Sequence, residues 1–416
     1  MKLAPEPLKV VRGDGVWLEL ENGQRILDGI SSWWVTLHGH GHPVLANAIY
    51  QQAQKLEQVI FTGFTHEPAE ELARKLLSYL PNPLTRVFFS DNGSTAVEVA
   101  LKMAYQYWCN QGEPQRTRFL GFEGGYHGDT IGAMSIGQSS TWWQPFKPLM
   151  FDTDIAPFPA TFDQDRAVDR KEAEAWEAIA SLLQTQGHTY AGIFIEPLIQ
   201  GAGGMRMCRP QFLQALEKLA RQFGILLIYD EVMTGFGRTG ELFACLKSST
   251  QPDLLCLSKG ISGGCLPLAV TLATEPIYQS FYSDEPHKAF LHGHSYTGNP
   301  LSCAAGLASL ELLEQNPAAY QRLETLHTQC LDQWLRDHPR VENSRICGTI
   351  AAMEIKTDST SGYYNPIAPI LKKRFLEAGL LLRPLGNTLY LMPPYCITES
   401  ELEKVYQIIR RVIDGL

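Results

Sequence analysis

Two residues of opposite charge stand at the ends of two apolar runs. Ile225-Leu-Leu-Ile-Tyr leads into Asp230, and Leu254-Leu-Cys-Leu-Ser leads into Lys259. A carboxylate and an amine delivered by neighbouring buried strands suit pyridoxal phosphate chemistry. The acid keeps the pyridine nitrogen protonated, so that the ring can draw electrons from a substrate bonded through its aldehyde carbon. The lysine holds the cofactor as a Schiff base, gives way to the substrate amine, and then carries a proton between substrate and cofactor carbons. Taken singly, either residue has a plainer reading. A lysine after a strand is commonly a solvated loop residue, and a strand ending Asp230-Glu231 also suits the metal-holding carboxylate of nucleotide hydrolases. Such a hydrolase needs a Gly-x-x-x-x-Gly-Lys-Ser/Thr loop, and the sequence contains no Gly-Lys dipeptide at all.

The elements that must position this pair are visible as a pattern. From about residue 86 to 273, short apolar runs alternate with helical patterns: Val87-Phe-Phe, Arg118-Phe-Leu-Gly-Phe, Gly192-Ile-Phe-Ile, Ile225 to Tyr229, Leu254 to Leu257, and Leu268-Ala-Val-Thr-Leu-Ala. The alternation predicts an α/β fold with a mainly parallel sheet, whose strands are buried on both faces and whose ligands sit at the carboxyl ends. Pro210 opens a crossover helix with Phe212, Leu213, Leu216, Leu219, Ala220 and Phe223 on its core face. Residues 10 to 30 read as a hairpin turning at Asn22-Gly23, and 300 to 416 alternate long helices with short strands such as Thr388-Leu-Tyr-Leu-Met. The expected organisation is a large cofactor-binding domain, 46–290, and a smaller α+β domain built from both chain ends, 1–45 and 291–416.

A phosphate site is expected after the first of these strands. Ser90-Asp-Asn-Gly-Ser-Thr precedes a helical stripe of Ala96, Val97, Ala100, Leu101, Ala104 and Trp108. Thr95 with Glu98 reads as a capping box, which places Gly93 and Ser94 at a helix N-terminus with free N–H groups. An ordinary capped helix is the alternative. Gly235-Phe-Gly-Arg-Thr-Gly240 matches the dinucleotide fingerprint literally and keeps a nicotinamide-dependent oxidoreductase as a rival class. No long helical pattern follows it, and no acidic residue about twenty positions on would hold a ribose, so it reads as a tight loop. His38, His40 and His42 alternate as metal ligands on a strand would, but Gly39, Gly41 and Pro43 argue a turn, and no metal is expected.

Composition bounds the function. The chain has 416 residues, 44% hydrophobic and 19% charged, enough for two or three domains, and its formal net charge of −9 disfavours nucleic acid and anionic membranes as partners. Nine cysteines without a Cys-x-x-Cys read as free thiols of a reducing compartment. The opening Met1-Lys-Leu-Ala-Pro-Glu-Pro lacks a signal-peptide core and no apolar run reaches the ~20 residues of a membrane span, so a cytoplasmic location is expected.

With these residues in place, the chain resembles the class III, fold-type-I aminotransferases over nearly its whole length. The likeness is carried by Asp91-Asn-Gly-Ser-Thr-Ala-Val-Glu-Val-Ala, Tyr126-His-Gly-Asp-Thr, Glu196-Pro-Leu-Ile-Gln-Gly, Asp230-Glu-Val-Met-Thr-Gly-Phe-Gly-Arg-Thr-Gly, Leu257-Ser-Lys-Gly and Thr297-Gly-Asn-Pro-Leu. The resemblance implies pyridoxal 5'-phosphate bound by Gly93, Ser94, Tyr126, Asp230 and Lys259. It also implies a homodimer in which His294 and Ser295 serve across the interface. Asp28-Gly-Ile-Ser-Ser-Trp-Trp, Gly201-Ala-Gly-Gly-Met-Arg-Met and Leu382-Arg-Pro-Leu-Gly are most similar to the biotin-synthesis branch. That branch implies amino transfer from S-adenosylmethionine to 8-amino-7-oxononanoate, with Trp33, Trp34, Tyr126, Gly293, Arg383 and Tyr390 at the substrate. An apolar acyl chain ending in a carboxylate suits an aromatic wall with an arginine, although adjacent tryptophans also commonly pack a core. Relatives that use amino-acid carboxylates pair a glutamate with an arginine where this sequence has Ala202 and Tyr390. Two features leave lysine open as the donor, and another class III ω-aminotransferase as an alternative. The branch's aromatic-Pro-Tyr donor motif is expected to lie before the start of this sequence, and His294 stands where a proline is common. The role of Arg238 is left open.

Overall fold

The six apolar runs become strands of one sheet. In the computed structural model, which describes residues 7–80, 83–137 and 141–416, the sheet has seven strands. Their order is Leu84–Ser90, Ala269–Thr274, Leu254–Leu257, Leu226–Asp230, Tyr190–Ile195, Arg118–Phe122 and Asp154–Ala156. The seventh, Asp154–Ala156, is too short to show a pattern in sequence. Residues 1–6, which open the expected N-terminal part, lie outside the described residues. The strands Tyr190–Ile195, Leu226–Asp230 and Leu254–Leu257 are buried at every position, because helices cover both faces. Pairing is parallel throughout except at Ala269–Thr274, which runs antiparallel to both neighbours. Six carboxyl ends therefore share one edge of the sheet, joined there by the amino end of Ala269–Thr274.

Local chemistry sets the helices on this sheet. Pro210–Phe223 starts with its proline, where no N–H is needed, and stops at Gly224, whose φ of 58° is left-handed. Its Phe212 is fully buried, edge-on to Phe122 and Phe158. The helix Gly93–Asn110 begins where expected, but the Thr95–Glu98 box does not form. Asn92 is the cap: its side chain accepts the Thr95 N–H at 3.0 Å, and the Thr95 hydroxyl accepts the Asn92 N–H at 3.2 Å. Thr95 already lies inside the first turn, so it can only reciprocate. Glu98 instead accepts the N–H groups of Gly132 and Ala133 at 2.8 and 3.2 Å, bracing the helix Ile131–Ile136.

The two chain ends meet in a second sheet, Val10–Asp14, Trp17–Leu20, Arg25–Asp28 and Leu380–Leu381. The hairpin turns at Asn22-Gly23, with Gly23 at a φ of 82°. Leu27 pairs with Leu380 and Asp28 with Leu381 in parallel. A three-stranded sheet, Val341–Cys347, Ile350–Ile355 and Thr388–Leu391, packs against the helix Ala318–Trp334, which in turn packs against Glu399–Asp414. A continuous apolar core, including Leu27, Leu257 and Ile350, joins these layers to the central sheet.

Candidate active site

The shared strand edge opens into a cavity of about 450 Å³ whose walls include Gly93, Ser94, Tyr126, Asp230 and Lys259. Asp230 is the last residue of its strand and lies opposite Cys256 on the next, so Lys259, three residues further on, rises beside it. Lys259 has a φ of 44°, in the left-handed region, at the start of the short turn Lys259–Ser262. Asp230 accepts hydrogen bonds from the Val232 N–H at 3.0 Å and from His127 Nδ1 at 2.8 Å. Burial lowers the pKa of His127, but the hydrogen bond and charge of Asp230 outweigh it and the net shift is upward. Burial holds the Lys259 amine below its usual pKa, against the pull of Asp230 and Glu196. A lysine with a depressed pKa is a better nucleophile at neutral pH.

The opposite wall is the start of the helix Gly93–Asn110, where first-turn N–H groups lack partners within the helix. A Cβ on Gly93 would lie 2.6 Å from Val232 Cγ1. The absent side chain lets the helix end press against the residue that also braces Asp230. An anion-binding helix end, a paired carboxylate and a buried amine on one cavity of this size are the donor set that pyridoxal phosphate requires, and the residues fit it. Glu196 is part of the same wall. It accepts the N–H groups of Tyr126 and Gly201, both at 2.9 Å, and burial pushes its pKa up to about 7.

Beyond Lys259 a second cavity of about 320 Å³ shares Trp34, Tyr126 and Lys259 with the first and adds Trp33, Arg383 and Tyr390. The tryptophans divide the work. Trp34 is buried, its indole N–H donating to the Tyr390 hydroxyl at 2.9 Å, and Lys259 Nζ lies 4.9 Å from the centre of its ring. Trp33 is 59% exposed and carries the Arg383 guanidinium 3.8 Å above its ring. Among the described residues no carboxylate pairs with Arg383. Ala202 and Tyr390, read from sequence as a replaced specificity pair, face the same cavity. The segment bearing the tryptophans is contorted: Ser31, Ser32 and Trp34 have φ of 50°, 60° and 68°.

Gly293, His294 and Ser295 line neither cavity of their own chain. They form a loop before the helix Pro300–Gln315, where the Ser295 carbonyl accepts from Gln58 at 2.8 Å and the His294 N–H donates to Thr297 at 3.1 Å. His127 and Glu196 were not singled out from sequence. The available signals were the adjacency of His127 to Tyr126 and the position of Glu196 just past the strand Tyr190–Ile195, at the edge that also bears Asp230. The Gly235 to Gly240 stretch is a tight loop, with Phe236, Gly237 and Gly240 all at positive φ, and only the short helix Ala244–Ser248 follows. That removes the dinucleotide reading. Its Arg238 is buried, donating to the Pro393 carbonyl at 3.1 Å and the Trp34 carbonyl at 3.4 Å, and so supports the wall from behind. The three histidines take different partners: His38 bonds Ser309 at 3.0 Å and meets the His42 ring edge-on at 5.9 Å, His40 bonds Asp28 at 2.9 Å, and His42 precedes the helix Pro43–Lys55. Among the described residues no His, Cys, Asp and Glu group could hold a metal ion, and no helix is long and apolar enough to cross a membrane.

The family model for class-III aminotransferases matches residues 2–413. An adenosylmethionine-8-amino-7-oxononanoate aminotransferase of Synechococcus elongatus is 55% identical over 416 residues, covering 100% of this chain and 97% of the relative. The protein of that name from Geobacter sulfurreducens is 40% identical, covering 96% and 90%. A crystal structure of the Methanocaldococcus jannaschii protein of the same name superposes with a TM-score of 0.92 at 35% identity, covering 99% and 94%. An amine transaminase from an uncultivated Pseudomonas species, solved with pyridoxal phosphate bound, gives 0.91 at 30% identity, covering 99% and 95%.

Proposed function

The chain belongs to the class III aminotransferases, and on that premise we propose that it transfers an amino group from S-adenosylmethionine to 8-amino-7-oxononanoate in biotin synthesis, giving 7,8-diaminononanoate. The fold is that of the fold-type-I transaminases and the cofactor is pyridoxal 5'-phosphate. One observation carries the choice of acceptor. The cavity beside Lys259 has an aromatic wall that ends at Arg383, a guanidinium with no carboxylate partner among the described residues, while Ala202 and Tyr390 replace the pair that would favour a short amino-acid carboxylate.

When bound, pyridoxal phosphate supplies a ring that draws electrons from the carbon bearing the substrate nitrogen. The residues of the chain do the rest. Gly93 and Ser94, at the helix N-terminus, would hold the phosphate. Asp230, braced by His127 and the Val232 N–H, would keep the pyridine nitrogen protonated, and Tyr126, on the cavity wall, would help hold the cofactor. Lys259, with its depressed pKa, would hold the cofactor through its amine and, once a substrate amine has displaced it, would accept and return a proton at Nζ. Trp33, Trp34 and Tyr390 hold the acyl chain away from water, and Arg383 receives its terminal carboxylate.

Two copies complete the site in this reading. Ile60, Phe64, Leu291 and Tyr296 are each more than 60% exposed. Gln58 and Asn299 bond across the two segments that bear them, making one apolar patch around Ser295. That patch supports a homodimer in which Gly293, His294 and Ser295 reach the partner's site. Nine free thiols support a cytoplasmic location.

The test is to supply the purified protein with pyridoxal phosphate, 8-amino-7-oxononanoate and either S-adenosylmethionine or lysine. The diamine is expected with S-adenosylmethionine. Product with lysine alone would reassign the donor, and none with either would overturn the acceptor. Lys259→Ala is expected to lose both the borohydride-reducible cofactor link and all turnover, with the fold intact. A surviving link would move the chemistry elsewhere.

A further inference from the structure

We propose that Asp28, with His40, is a positioning residue for acceptor specificity, holding the contorted turn Ser31 to Trp34 and through it the Arg383 guanidinium; this rests on the function proposed above. Asp28 ends the strand Arg25–Asp28 and is fully buried. Its Oδ1 accepts the Ile30 N–H at 3.1 Å. Its Oδ2 accepts the Ser32 N–H at 2.6 Å and faces the Ser32 hydroxyl at 3.4 Å and His40 Nε2 at 2.9 Å. No glycine is present in Ser31-Ser32-Trp33-Trp34, yet three of the four residues have left-handed φ, a conformation that side chains disfavour and that persists only where the surroundings over-determine it. The Asp28 carboxylate is the group that over-determines it, since one oxygen receives the N–H of Ile30, at the entry to the turn, and the other that of Ser32 within it.

The turn is also stitched to the segment that bears Arg383 and Tyr390. The Gly29 N–H donates to the Leu381 carbonyl at 3.1 Å, the Met392 N–H to the Gly29 carbonyl at 2.9 Å, and the Ser31 hydroxyl to the Met392 carbonyl at 2.8 Å. A Cβ on Gly29 would lie 2.7 Å from Leu382 Cδ2, so the approach is as close as the backbone permits. Trp33 thus meets Arg383 because the turn presents it there, and a guanidinium on a ring 3.8 Å away takes its location from that ring. His40 steadies the other side. Its backbone bridges Gly15 in both directions, at 3.1 and 2.7 Å, and Gly13 presses on it where a Cβ would come within 2.6 Å.

Steady-state kinetics of the holoenzyme with 8-amino-7-oxononanoate and with its methyl ester test this. In Asp28→Asn one of the two clamping oxygens becomes an amide that opposes a turn N–H, donor to donor. The Michaelis constant for the acid is expected to rise on the order of tenfold, as in Arg383→Ala, with kcat within about twofold of the wild type. The ester, which has no charge for Arg383 to bind, should be affected much less. Adding Ser32→Gly, which adopts positive φ without a clamp, should recover part of the loss. An unchanged constant for the acid overturns the proposal, and so does an equal rise for acid and ester, which would make Asp28 a general support of the fold. Should Asp28→Asn fail to fold, His40→Gln carries the same comparison, with a selective rise expected and an unselective one overturning it. A wild type that does not turn over the acid overturns the functional reading itself.

Discussion

His127 and Asp230 form the buried pair on which the cofactor's electronics depend in the proposed function, and their coupling has a definite sign. The pKa of His127 is raised in the folded chain above its ordinary 6.5. Between 6.5 and the raised value the folded state binds the extra proton, so the pair's stabilisation is complete below pH 6.5 and drains away as pH climbs through the folded value. Asp230→Asn removes the hydrogen-bonded charge and leaves burial, which lowers the pKa, opposed only by the charge of Glu196, so the upward shift and its slope shrink. The gap in melting temperature between wild type and Asp230→Asn is therefore expected to narrow from pH 6 to pH 9. A gap independent of pH would mean that His127 is neutral throughout and only orients the carboxylate. The same variant should retain the Lys259 link but lose most activity, because an amide cannot hold the ring nitrogen protonated.

At the scale of elements, the helix Gly93–Asn110 has its cap and its proposed phosphate site within one turn. Asn92→Ala is expected to cost ~0.5–2 kcal/mol of stability and to weaken pyridoxal phosphate binding, as read by spectroscopic titration. A loss of stability with unchanged cofactor affinity would separate the helix end from the phosphate. The strands that carry Asp230 and Lys259 were legible because strands buried on both faces read as unbroken apolar runs, and a charge at such an end is conspicuous. The cap was misplaced because Ser90-Asp-Asn-Gly-Ser-Thr offers several capping side chains in a row, and only the path of the backbone selects Asn92. Glu196 and His127 were hard to read as site residues because their roles arise from contacts between segments that follow separate strands. The turn of Ser31 to Trp34 was illegible for a further reason: its residues have no local preference for left-handed backbone, which Asp28 imposes from outside the segment.

For the whole molecule, the exposed patch of Ile60, Phe64, Leu291 and Tyr296 predicts a sedimenting species of twice the chain mass. Leu291→Asp should shift it toward the monomer and reduce activity in step, since the loop of Gly293 to Ser295 would then lose the site it completes. A fully active monomer would refute that division of labour. The parallel pairing of Leu27 with Leu380 bears on how the molecule is made. A ribosome adding ~5–20 residues per second takes roughly 20–70 s to travel between those partners. Throughout that interval the nascent chain carries the tryptophan segment without its Leu380–Leu381 partner, whereas the strands bearing Asp230 and Lys259 have all their neighbours once residue 274 is made. The acceptor wall is thus among the last parts of the enzyme to exist. Chains interrupted before residue 380 would carry the cofactor lysine without the surface that discriminates its substrates, and they are the species that chaperones and proteases must clear.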